Sequence, residues 1–115
     1  MKTLLTPLLL IASTLFFMAN ANAYAKKLDT NISGLVLKDL SCGYYGIYSG
    51  RWVNRNNQSL GNKRISIHMY DSDGDRIGVQ STETINMGAK TGGKFWTQYE
   101  DSSCGDAGSI KIFVN

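Results

Sequence analysis

The chain contains one histidine, two cysteines and several close-set carboxylates, and any catalytic or metal chemistry would have to be built around them. His68 lies in the run Arg64-Ile65-Ser66-Ile67-His68-Met69-Tyr70-Asp71, with Ser66 and Tyr70 at alternate positions beside it. A hydroxyl becomes a nucleophile only when a base and a group that orients the base are assembled with it. The sequence supplies His68 and Ser66 but no identifiable third member. Structural zinc takes about four ligands, and Cys42, Cys104 and His68 are too few. Asp71-Ser72-Asp73-Gly74-Asp75 gathers carboxylates as a calcium loop does. However, an EF-hand needs its glycine at the sixth position and a bidentate glutamate at the twelfth, where this run has its glycine fourth and Thr82 twelfth. Glu100, Asp101 and Asp106 surround Cys104, and paired carboxylates are the apparatus of glycoside hydrolysis. In so short a chain a solvated acidic loop is the simpler reading. The expectation is no enzyme, no metal and no cofactor.

The elements that position these residues begin with a segment the working protein is expected to lack. Lys2, an apolar run from Leu4 to Met18 and Ala21-Asn22-Ala23 have the form of a cleavable, helical secretory leader. The run, about 15 residues, falls short of the roughly 20 that span a bilayer, so no stable membrane insertion is expected after cleavage. Residues 1–23 are then signal peptide and residues 24–115 one domain, periplasmic or secreted. Disulfides persist in such compartments, which makes Cys42 and Cys104 a pair. Closing a loop of about 60 residues is worth roughly 4 kcal/mol on the chain-entropy estimate. Such a staple matters for a chain of about 92 residues, which buries only about two thirds of its unfolded surface. Loss of Lys2 reduces the 12 basic residues to 11 against 9 acidic ones. These basic residues run from Lys26 to Lys111 without the dense stripe that displaces counterions from nucleic acid, so no nucleic-acid partner is expected.

Beyond Ala23 no helical periodicity is found, and strand and turn signals take its place. Ile65, Ile67 and Met69 alternate with Ser66, His68 and Tyr70, which describes a half-buried strand. Asp73-Gly74 then predicts a hairpin returning through Arg76 to Ile85, with Ile77 and Val79 pairing back. Further strands are expected over Ile32–Leu40, Tyr44–Asn54, Lys94–Glu100 and Ser109–Val114, the last with Ile110, Ile112 and Val114 on one face. A loop from Asp101 to Gly108 carries Cys104. The fold class is all-β: a small antiparallel sandwich of six or so strands with one disulfide.

The segment Gly50, Trp52, Asn54, then Ile67, Met69, Tyr70, Asp71 and Gly74, resembles the FxLYD-type domain, a small immunoglobulin-like sandwich of exported bacterial proteins. That family has a Gly-x-apolar-x-Asn strand end, an alternating strand closing in Phe-x-Leu-Tyr-Asp, and a glycine turn. Ile67 and Met69 stand where the family has Phe and Leu. The resemblance implies an immunoglobulin-like fold and export from a bacterium but no shared activity, since function does not follow from fold. It also makes the glycosylation patterns at Asn31 and Asn57 fortuitous. With Trp52 and Phe95 inward, as the resemblance implies, alternation turns Tyr48 and Tyr99 inward and leaves Tyr45, Arg51 and Trp96 on the outer face.

Exposed aromatics beside an arginine have the composition of a binding hot spot. Tyr45, Arg51 and Trp96 are therefore the candidate binding residues, and the first expectation is recognition of a protein in the bacterial envelope or outside the cell, an inhibitor or immunity-type protein being one form. A glycan or cell-wall ligand stacked on Trp96 is the alternative, and a small hydrolase using His68 is the third.

Overall fold

The computed structural model describes residues 26–115 and, for the backbone alone, Phe16–Met18. The rest of the expected leader and Tyr24 lie outside the described residues. The strands are β1 Phe16–Met18, β2 Lys27–Asp29, β3 Leu35–Cys42, β4 Tyr48–Asn54, β5 Gly61–Lys63, β6 Ile65–Tyr70, β7 Arg76–Ser81, β8 Ile85–Met87, β9 Gly92–Trp96 and β10 Ser109–Val114. Every pairing is antiparallel. One sheet runs β2-β3-β4-β9, the other β1-β10-β6-β7, and β5 and β8 form a separate two-stranded ribbon.

Side-chain alternation decides what lies between the sheets. Ile65, Ile67 and Met69 on β6 are directly opposite Val114, Ile112 and Ile110 on β10, and all six are buried. From the facing sheet come Leu28, Leu37, Tyr48, Trp52 and Phe95. Burial of one such large apolar side chain contributes about 1.5–3 kcal/mol, so this two-layer core is the main source of stability. The expected small antiparallel sandwich with a single disulfide is what the chain forms.

Several element bounds differ from those read in sequence. The return strand stops at Ser81, because Thr82 turns its hydroxyl to the backbone at Ile65 and Glu83. Ile77 packs against the core as expected, beside the register shift at Met69–Tyr70, and Gly78 and Gln80 lie opposite the buried Met69 and Ile67, but Val79 lies opposite His68 on the outer face. Tyr44 and Tyr45 precede β4 rather than forming part of it. In β3 an irregularity between Lys38 and Ser41 places Asp39 at φ 56°, a conformation short polar side chains tolerate. The extra residue turns Leu40 into the core while keeping Lys38 and Ser41 outside.

The motif residues occupy structural positions. Phe95 lies over Gly50, where a Cβ would come 3.1 Å from the ring, and Trp52 lies over Gly93 at the same distance. Asn54 is fully buried at the end of β4. Its amide donates to the carbonyls of Gln58 and Gly88, and its oxygen accepts from the Asn56 amide. Tyr70 is partly buried, and Asp71 caps the turn that contains Gly74.

Candidate functional site

Two hairpins in this molecule use one turn geometry with different residues. In the β6–β7 turn the Gly74 amide donates to the Asp71 carbonyl and the Asp71 amide to the Asp75 carbonyl. Gly74 has φ 89°, a region that suits glycine because it has no Cβ. In the β3–β4 turn the Gly46 amide donates to the Gly43 carbonyl and the Gly43 amide to the Ile47 carbonyl, with Gly46 at φ 76°. At 71–75 the central residues are Ser72 and Asp73, ordinary turn formers, and one Asp71 carboxylate oxygen accepts from the amides of Asp73 and Asp75 at 2.9 Å. The carboxylate is thereby used in holding the turn. The β3–β4 turn instead has Tyr44 and Tyr45 at its centre, 99% and 84% exposed, with ring centroids 6.3 Å apart. Neither tyrosine is required by the turn.

That turn is held from three directions. Cys42, the last residue of β3, is bonded to Cys104, with Cα atoms 5.7 Å apart. The Gly46 carbonyl accepts from the Cys104 amide at 2.9 Å and from the Gln80 side-chain amide at 2.8 Å. Gln80 is completely buried. Its amide also donates to the Ser102 carbonyl, and its oxygen accepts from the Thr97 hydroxyl at 2.6 Å. A buried amide with every partner supplied fixes geometry, whereas an unmatched one is costly. Gln80 therefore ties β7, the β3–β4 turn, the segment carrying Cys104 and the end of β9 into one unit. In immunoglobulin domains the disulfide crosses the core between sheets; here it joins a strand end to a 3-10 turn, Cys104–Asp106.

Tyr45, Arg51 and Trp96 divide between two places. Arg51 and Trp96 share the outer face of the β2-β3-β4-β9 sheet, Arg51 opposite Lys94 and Trp96 opposite Ser49. Both are exposed, Trp96 to 61%. Tyr45 stands off that face, at the turn, beside Tyr44. The inward position expected for Tyr48 is found, but Tyr99 is 55% exposed. The chain leaves β9 after Trp96 and the Gln98 amide donates to Ser81 in the other sheet, so alternation does not carry through to Tyr99. Thr97 still pairs with Tyr48. Among the described residues the large exposed aromatic side chains are Tyr44 and Tyr45 at the turn, Trp96 on the sheet face and Tyr99 beyond β9. A groove of about 120 Å³ beside Trp96 is lined by Thr82, Glu83, Ile85, Lys94 and Phe95.

The residues with catalytic potential are arranged otherwise. Ser66 Oγ is 2.9 Å from Ser81 Oγ. His68 Nδ1 is 3.4 Å from the Arg76 guanidinium, and its ring meets Phe113 edge-on at 4.8 Å. Partial burial, then the charges of Arg76 and Lys111, hold the His68 pKa below its usual 6.5. Between that lowered value and 6.5 the unfolded chain binds more protons than the folded one, so this contribution to stability is complete above 6.5 and is lost as pH falls through the folded value. An NMR titration of the His68 ring should give a midpoint below 6.5, moving upward in Arg76→Gln. Among the described residues no group of three or more His, Cys, Asp or Glu is placed to hold a metal, and no helix is long and apolar enough to cross a membrane.

Compared with protein-family models, with curated proteins and with solved structures, the chain matches none.

Proposed function

We propose that the chain is an exported binding module that recognises another protein through the Tyr44–Tyr45 turn. The observation that carries this reading is the placement of two exposed tyrosines at the centre of a turn clamped by a disulfide and a buried glutamine. Tyrosine and tryptophan provide large contact areas with few torsions to immobilise, and they dominate interface energetics. A contact surface already held in its bound shape loses little entropy on association. The FxLYD resemblance, with its implied immunoglobulin-like fold and export, belongs to this reading, as does a periplasmic or extracellular location, where Cys42–Cys104 persists.

Tyr44→Ala/Tyr45→Ala is the informative variant. Both side chains are exposed, so thermal stability should stay within about 0.5 kcal/mol of the parent. Capture of the partner from envelope extract should fall by about 30-fold or more, the consequence of losing at least 2 kcal/mol at a hot spot. Equal recovery of every captured protein by parent and variant would remove this turn as the binding surface.

A further inference from the structure

The basic residues that look scattered in sequence are collected by strand register into a single row. Lys27 on β2 is directly opposite Lys38 on β3, Lys38 opposite Arg51 on β4, and Arg51 opposite Lys94 on β9. Directly opposed residues of antiparallel strands project from the same face. That face is the outer one, because the adjacent row, Leu28, Leu37, Trp52 and Gly93, carries the buried side chains Leu28, Leu37 and Trp52. The sheet thus presents four cations in single file, perpendicular to its strands. Neighbouring strands lie about 4.8 Å apart, so the file spans about 14 Å at the backbone.

Like charges directly opposed across strands destabilise a sheet, and here three such pairs are consecutive. Among the described residues, no side-chain hydrogen bond or ion pair to these cations relieves the repulsion. The row costs stability in the free protein, and a bound polyanion would remove that cost. We infer that this face binds an acidic polysaccharide, a carboxylated glycan chain lying across the four strands. Single file, at a spacing comparable to the length of one sugar residue, suits a linear polymer with a charge on successive units. Trp96 stands beside the row on the same face, exposed and able to lie against a sugar ring. An anionic membrane would be better served by a patch extended in two dimensions than by a single file of cations. Single-stranded nucleic acid is held by several aromatics stacking successive bases, whereas among the described residues Trp96 is the one aromatic on this face.

The surface is separate from the Tyr44–Tyr45 turn, so the two readings fail independently. The test is titration of the purified chain with polygalacturonate oligomers, followed by tryptophan fluorescence, with neutral dextran, oligo-dT and phosphatidylglycerol vesicles in parallel. Trp52 is buried, so a change on binding reports Trp96. Polygalacturonate should bind, dextran should not, and affinity should fall by about tenfold or more between low and physiological salt as the charges are screened. Lys38→Gln/Arg51→Gln should lose about tenfold or more in affinity, while its thermal midpoint stays level or rises as repulsion is relieved. Arg51→Lys should retain binding, and so should Tyr44→Ala/Tyr45→Ala. No binding of polygalacturonate, equal binding by Lys38→Gln/Arg51→Gln, or tighter binding of oligo-dT or vesicles would each overturn the inference.

Discussion

Cys42→Ala/Cys104→Ala should lower the free energy of unfolding by about 4 kcal/mol, the loop-closure entropy lost when residues 62 apart in sequence are no longer joined. Small domains have total stabilities of about 5–15 kcal/mol, so the loss removes a large share. Both cysteines are buried, and their replacement also leaves space beside Tyr48 and Leu40 in the core cluster. Urea unfolding of parent and variant measures the difference, with the midpoint moving and the slope nearly constant. The damage should be greatest at one place. The Cys104 amide bonds to Gly46, and its exchange with deuterium should speed up before that of the β6–β10 amides does. A loss below about 1 kcal/mol, or uniform acceleration across the molecule, would mean the disulfide is not what holds the turn.

Gln80→Ala should cost about 3 kcal/mol. Three side-chain hydrogen bonds disappear, to Gly46, Ser102 and Thr97. Each is worth about 1 kcal/mol net, and a buried donor left without its acceptor costs about 1–3 kcal/mol more. Not all of these losses are borne in full. Gly46 keeps the Cys104 amide, and the Thr97 hydroxyl can turn to the Tyr48 carbonyl, 3.4 Å away. A double-mutant cycle isolates the key contact: Gln80→Ala/Thr97→Val should cost less than the sum of the single changes by about 1 kcal/mol, since the second substitution removes the orphaned hydroxyl. Strict additivity would show that Gln80 and Thr97 are not coupled. The link to the proposed recognition lies in the turn. A loosened Gly46 lets Tyr44 and Tyr45 sample other orientations, so binding should weaken although Gln80 is buried away from the surface.

The fold was legible wherever one strand carried its own instructions. Ile110, Ile112 and Val114 alternate without interruption, and Asp73-Gly74 marks a turn by itself, so β10 and the β6–β7 hairpin are read directly. Gln80 was not, because a polar residue in an alternating strand looks solvent-facing until its partners from three other segments are placed around it. β propensity places Tyr44 in a strand, although Gly43 and Gly46, which bracket the two tyrosines, are the local signal of a turn. Tyr99 failed for a different reason. Alternation holds only while a chain stays in one sheet, and this chain crosses to Ser81 at Gln98. The row of Lys27, Lys38, Arg51 and Lys94 is a property of register. Register depends on turns, bulges and which strands become neighbours, so no reading of charges along the sequence finds it.

The two equivalent turns allow the central claim to be tested within one molecule. A photo-crosslinking phenylalanine analogue is placed at Tyr45 in one protein and at Asp73 in another, each is irradiated in the cell that produces it, and adducts are identified by mass spectrometry. Recognition through the clamped tyrosine turn predicts one discrete protein adduct from position 45 and none from position 73. The same adducts from both positions, or none from position 45, would contradict it.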